Sequence, residues 1–131
     1  MHKLLVILIA LKQFIKQYHW QAKSYQEHIL ADKLEEGLED YIDEVAEISV
    51  VVDFEEKLEA NLLLGEASLY LKDKGTADLD TMVKILGDLE KELVYTNDRA
   101  KLLGISDLTG RLSNSLLRKI YLIQLQLKLG K

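Results

Sequence analysis

The chain has 131 residues, which suits one domain with its own core, and its 48% hydrophobic and 30% charged residues indicate a globular protein rather than a disordered one. It has no cysteine, which excludes disulfide scaffolds, thiolate metal sites and cysteine nucleophiles, and no proline, which favours long uninterrupted helices. The formal net charge of −5 argues against a general nucleic-acid binder.

The first predicted element is a buried helix over residues 4–21. Its apolar run, residues 4–11, is bracketed by Lys3 and Lys12 and is far shorter than the roughly 20 residues that span a bilayer. A signal peptide is the alternative interpretation, but no small-residue cleavage site follows and the helical spacing of apolar residues continues to Tyr18. We therefore expect no membrane segment and a cytoplasmic location.

The second predicted helix runs from Ser24 to about Ile48. Ser24 and Glu27 have the spacing of a capping box, in which the two residues bind each other's backbone N–H groups at a helix start. The apolar residues of this segment fall on one helix face: Leu30, Ala31, Leu34, Leu38, Tyr41, Ile42 and Val45. The β-branched residues in 48–52 then predict a helix end and a connector.

Two more long helices are predicted in the second half of the chain. Residues 53–74 form a long connection with one or two short helices. A third long helix follows Thr76 and ends near Asn97, and a fourth is predicted with its cap at Ser106. The expected fold is an all-α four-helix bundle with a long crossover connection, formed as a single domain by residues 1–131.

The second predicted helix is strongly acidic, with nine acidic residues and one basic residue. For most of these acids the simplest interpretation is a solvated face. Four side chains differ, because on a continuous helix they form one stripe beside the apolar face: His28, Asp32, Asp43 and Glu47. Carboxylates and imidazole together are ligands of metal ions, so the sequence predicts a metal site in this stripe.

The length of the stripe limits how its residues can share an ion. His28 and Asp43 are 15 residues apart, which is about 22 Å along a continuous helix at 1.5 Å per residue, so they cannot bind the same ion within one chain. Two antiparallel copies crossing near residue 37 would place His28 and Asp32 of one chain against Asp43 and Glu47 of the other. The sequence therefore predicts at least a two-fold dimer with two shared sites.

The string YHWQAK from Tyr18 to Lys23, with the stripe that follows it, resembles the ferroxidase signature of the Dps miniferritins in the ferritin-like superfamily. The similarity is strongest over Tyr18 to Ile48. It implies that His19, His28 and Asp32 belong to one half of a site. The other half, by the same resemblance, comes from the two-fold mate and consists of Asp43 and Glu47.

The resemblance also implies a function. Iron would bind at a di-iron or mono-iron site between subunits, with manganese and zinc as alternatives, and Fe(II) would be oxidised by peroxide or oxygen and stored as Fe(III). The family resemblance further implies a homo-oligomer, up to a dodecameric shell. DNA binding is not expected, because the chain starts directly in the first helix without the basic tail of DNA-binding members.

The sequence departs from the typical family pattern. The segment between His19 and His28 is short, and Ser24 stands where the family has glycine. This short form is also similar to ferritin-like proteins of tailed phages and gut bacteria, for which the compartment would be the cytoplasm or the host cytoplasm. His19 and Trp20 have a second interpretation as a packed aromatic pair; otherwise Trp20 is expected to pack beside the site. The alternative function is a structural or interaction bundle that has lost iron turnover.

Overall fold

The computed structural model describes residues 1–52 and 58–129, and every regular element in these ranges is a helix. The helices are α1 (His2–Trp20), α2 (Tyr25–Glu35), α3 (Leu38–Val52), α4 (Ala60–Leu71), α5 (Leu79–Asp98) and α6 (Leu103–Leu129). The predicted all-α class is confirmed. Within the same ranges, no helix combines the length and the apolarity that a bilayer crossing requires.

The first helix, α1, is the centre of the core. Ten of its 19 residues are buried, including the whole run of residues 4–8. A helix that is apolar on nearly all sides must be covered on nearly all sides, and α1 is packed against α2, α3, α4 and α5. The prediction of a buried first helix is confirmed.

The second predicted helix is interrupted, so the prediction of one continuous helix to Ile48 is wrong. Gly37 has a φ of +79°, a left-handed conformation that ends α2 before α3 begins at Leu38. After this turn, α3 continues through the β-branched residues to Val52. Packing against α1 overrides their weak helix propensity, since Val45 and Ser49 are both buried.

The long connection contains one helix in the part of the chain that the structure describes. This helix, α4, packs on α1 through the buried side chains of Leu63 and Ala67. It continues through Gly65 without a break, so the described residues contain one of the one or two short helices predicted. The connection is therefore a covering element of the core and not a simple loop.

The helices α5 and α6 complete the bundle. The Asp78 side chain caps α5 by accepting the backbone N–H of Thr81 at 2.7 Å. The predicted cap of the last helix at Ser106 is wrong: α6 begins at Leu103, because a helical turn already closes where the N–H of Ile105 donates to the carbonyl of Leu102. Contacts of α1 with α2 and α5, and of α6 with the same two helices, close a ring of four helices.

Candidate metal centre

The connection between α1 and α2 brings two histidines together. His19 lies in the last turn of α1 and His28 in the first turns of α2. Ser24 Oγ accepts the backbone N–H of Glu27 at 3.1 Å, as the capping box predicts, while Glu27 Oε2 accepts the N–H of Lys23 instead of that of Ser24. These bonds hold the short connection and set the entry of α2 beside the end of α1.

A compact group of two imidazoles and one carboxylate results. Asp32 Oδ1 lies 3.6 Å from His19 Nδ1, and Asp32 Oδ2 lies 3.9 Å from His28 Nε2. The possible ligand atoms of the three residues all lie within 4.8 Å of one another. Ligands about 2.1 Å from an ion are at most about 4.2 Å apart, so small side-chain rotations bring these atoms into coordination range.

The two imidazole rings also contact each other directly. Their centroids are 4.2 Å apart and the planes meet at 83°, an edge-to-face arrangement. The exposed fractions of the side chains are 25% for His19, 49% for His28 and 54% for Asp32. An ion at this position would therefore keep coordination sites open to water, to an oxidant or to further protein ligands.

Trp20 and Tyr25 line the shallow depression that also contains His19 and His28. Trp20 is 74% exposed, so it does not form the packed aromatic pair that was the second interpretation of His19 and Trp20. It lines the same depression as the histidines but is mostly exposed, so the expectation that it packs beside them is not met. The neighbouring Tyr18 is buried, and this burial together with the charge of Glu27 raises its pKa to about 12.

Asp43 and Glu47 lie elsewhere, as exposed residues one turn apart on α3. The turn at Gly37 separates α3 from α2. Asp43 and Glu47 on α3 therefore do not continue the stripe of His28 and Asp32 on α2 that a continuous helix would form. Within residues 1–52 and 58–129, the three-residue group that could hold a metal contains neither Asp43 nor Glu47. Of the five predicted ligands, the structure brings together His19, His28 and Asp32.

Several other acids of this region already have cationic partners. Glu44 accepts two bonds from the Arg111 guanidinium, at 2.5 and 3.2 Å, and Glu39 pairs with Lys12. These contacts favour a structural role for both carboxylates. Glu39 and Glu44 are thus ion-paired with basic side chains, whereas Asp32 contacts the histidines.

Lys119 was missed by the sequence analysis. Its side chain is only 4% exposed, and Nζ donates a hydrogen bond to the backbone carbonyl of Glu36, at the end of α2. A signal was present in the sequence, since Lys119 follows buried Leu116 by three residues and buried Leu112 by seven, the spacing of the core face of α6.

Comparison of the chain with models of protein families, with curated proteins and with solved structures finds no match. The assignment of a function therefore rests on the resemblance of the short motif and on the geometry of the histidine and aspartate group.

Proposed function

We propose that this protein binds Fe(II) at His19, His28 and Asp32 and oxidises and stores it in the manner of the Dps miniferritins. The observation that carries the proposal is the group of three potential ligands within 4.8 Å of one another. Two imidazoles and one carboxylate with open coordination positions are a ligand set typical of non-haem Fe(II) that reacts with an oxidant. Manganese and zinc are the alternative ions for the same donors.

The reaction requires an oxidant from solution. With peroxide, two Fe(II) ions each lose one electron, and hydrogen peroxide takes up both electrons and two protons to give two water molecules. The exposure of His28 and Asp32 supports the access that this step needs. The contribution of the chain is to hold the ions at reacting distance.

We propose that a second copy completes each site with Asp43 and Glu47. Two exposed carboxylates one turn apart on α3 would add hard oxygen ligands to the histidine half-site of the mate. A two-fold axis near the α2–α3 turn would form two such sites per dimer. Further assembly of dimers into a closed shell, up to twelve subunits, would provide the space for Fe(III) mineral.

The packing order of the helices supports a ferritin-like arrangement. In the ring of four helices, α1 and α6 each contact both α2 and α5. In this ring α2 and α5 are therefore at opposite corners. The long connection carrying α4 begins after α3, which follows α2, and ends at α5. A connection between opposite corners is the crossover that ferritin-like bundles contain.

The test is complementation between two site variants. His28→Ala and Glu47→Ala are each expected to abolish fast Fe(II) oxidation while helix content is unchanged, because both side chains are exposed. A heterodimer of the two variants has one site that lacks both ligands and one intact site. Co-refolded mixtures should therefore recover up to one working site per mixed dimer, measured as the rate of Fe(II) oxidation.

Matched controls separate loss of ligands from loss of charge. His2→Ala removes a histidine that pairs with Glu66 at the start of α1, and Asp40→Ala removes an exposed carboxylate from α3; both variants should oxidise Fe(II) like the unaltered protein. Confirmed heterodimers without recovered activity would contradict the shared site. Full activity of both single variants would contradict iron oxidation at this group and would favour a solvated helix face for these residues. Absence of Fe(II) oxidation by the unaltered protein would favour the structural bundle.

A further inference from the structure

A second polar pocket lies between the α2–α3 turn and α6. Its lining is mainly basic, in contrast to the acidic residues of α2 and α3. It has a volume of about 500 Å³, and its lining includes four basic side chains and one acidic side chain, Glu36. The basic residues are Lys33, Arg111, Arg118 and Lys119. In a chain with a net charge of −5, this is a local concentration of positive charge.

Lys119 is the buried basic residue of this lining. Its ammonium group has three N–H donors, and one of them is used by the Glu36 carbonyl at 2.9 Å. Burial lowers the pKa of Lys119, and the nearby charge of Glu36 opposes that effect only in part. A bound anion would offset the cost of keeping this cation out of water.

The other three basic residues differ in how far they are neutralised. Arg111 is engaged by two carboxylates, those of Glu44 and Asp107, at distances of 2.5 to 3.2 Å. Arg118 and Lys33 form no ion pair with any carboxylate in the part of the chain that the structure describes. Lys119, Arg118 and Lys33 therefore face the pocket with Glu36 as their acidic neighbour.

Neutral hydrogen-bond donors complete the lining. Tyr41, Asn114 and Ser115, whose side chains can donate hydrogen bonds, line the same pocket. A guanidinium group binds two oxygens of one phosphate at once, and lysine ammonium groups add point charges around it. Three cations with several neutral donors suit a doubly charged anion with three or four oxygens better than a single carboxylate.

We propose that this pocket is a binding site for a small phosphate-bearing molecule, anchored by Arg118, Lys119 and Lys33. The volume falls within the range of about 300 to 1,000 Å³ that small-ligand sites occupy, so a phosphomonoester with a small organic group fits as well as free phosphate. The site is separate from the histidine group and does not depend on the proposed iron chemistry.

The experiment is calorimetric titration of chelator-treated protein, so that no bound metal ion contributes to the signal. The probes are inorganic phosphate, phenyl phosphate and acetate. Both phosphates are expected to bind, and acetate to bind at least about tenfold more weakly. Tighter binding of phenyl phosphate than of inorganic phosphate would assign the site to an organic phosphomonoester, and the reverse order to free phosphate.

Two variants of α6 locate the binding. Arg118→Gln is expected to weaken phosphate binding by about tenfold or more, since it removes a charge-assisted contact. Lys128→Gln removes one positive charge from an exposed position of the same helix outside the pocket and should leave the affinity unchanged. Because Arg118 is exposed, its replacement should not disturb folding, whereas Lys119→Met requires a check of helix content by circular dichroism.

The proposal is overturned if phosphate does not bind at millimolar concentration, which is also the result expected if acidic residues of a second copy fill the pocket. Equal losses of affinity in Arg118→Gln and Lys128→Gln would overturn it as well, because they would indicate attraction to net charge alone. Acetate binding as tightly as phosphate would exclude the phosphate class.

Discussion

Lys119 shows how a single side chain can depend on a distant part of the chain. It occupies a core position of α6, yet its amine reaches the carbonyl of Glu36, 83 residues away in sequence. The bond satisfies an end carbonyl of α2 that has no partner within its own helix. The lysine therefore links α6 to the turn at which α2 ends.

Burial of Lys119 predicts a dependence of stability on pH. Its pKa is lower in the folded protein than its ordinary value of 10.5, so at neutral pH the folded state carries a penalty for the charged amine. This penalty disappears as the pH rises from the folded pKa towards 10.5, because the unfolded chain then binds more protons than the folded chain. We expect the unaltered protein to gain stability relative to Lys119→Met over that interval, measured by urea unfolding at several pH values.

The control for this titration is Lys128→Met, at an exposed position of the same helix. Its difference in stability from the unaltered protein should stay constant over the same interval. The other ionisable groups around the pocket, Lys33, Glu36, Arg111 and Arg118, are shared by all three proteins and cancel in the comparison. A constant difference for Lys119→Met would show that the amine is not desolvated.

At the level of secondary-structure elements, the turn at Gly37 determines how the acidic residues are presented. A continuous helix would hold Asp32 and Asp43 at a constant relative angle. The left-handed backbone of Gly37 instead divides the segment, so that α2 carries Asp32 towards the histidines while α3 carries Asp43 and Glu47 separately. The relative placement of the two proposed half-sites thus depends on one glycine.

Replacement of Gly37 should cost stability through the backbone alone. A Cβ at Gly37 would meet no atom within 4 Å, but its φ of +79° is unfavourable for any L residue. Gly37→Ala is therefore expected to lower the free energy of unfolding by about 1–2 kcal/mol. The measurement is urea denaturation followed by circular dichroism.

Gly110→Ala is the matched control, since Gly110 is an exposed residue inside α6 whose added Cβ would also contact nothing. Alanine is the better helix former, so this variant should gain roughly 0.5–1 kcal/mol. A gain in stability for Gly37→Ala, like that expected for Gly110→Ala, would show that the left-handed turn is not formed at Gly37.

At the scale of the whole molecule, charge is distributed unevenly. The chain has 22 acidic residues against 17 lysine and arginine residues, and part of the basic set is concentrated in the pocket beside α6. A pocket can bind one small anion, but a DNA duplex requires cations spread along an extended surface. The two kinds of phosphate binding are therefore distinguishable.

We predict that the protein does not retain bare DNA at physiological salt. The net charge of −5 opposes approach of a polyanion, and nonspecific binders have dissociation constants of roughly 10⁻⁴ to 10⁻⁶ M under these conditions. Gel retardation at about 150 mM salt with submicromolar protein is the measurement. A shifted band that disappears on addition of salt would contradict this prediction.

Local patterns in the sequence were enough to predict much of the fold. The apolar run of α1, the cap at Ser24 and the periodic apolar residues of α5 involve residues within a few turns of each other, and all three appear in the structure. The association of His28 with Asp32 follows from a spacing of four residues on one helix. The addition of His19 to that pair rested on the family resemblance, and the structure brings the three residues together.

Long-range packing decided the remaining features. Gly37 is tolerated within a helix as well as in a turn, so its left-handed conformation is apparent only in the structure, where α2 and α3 each pack on α1. The extension of α3 to Val52 accompanies the packing of α3 on α1. The start of α6 at Leu103 is different, because Leu103 is exposed and a local backbone turn closes there. The basic pocket joins residues 33–41 to residues 111–122, and no local pattern reports such a contact, because it exists only after the helices have packed.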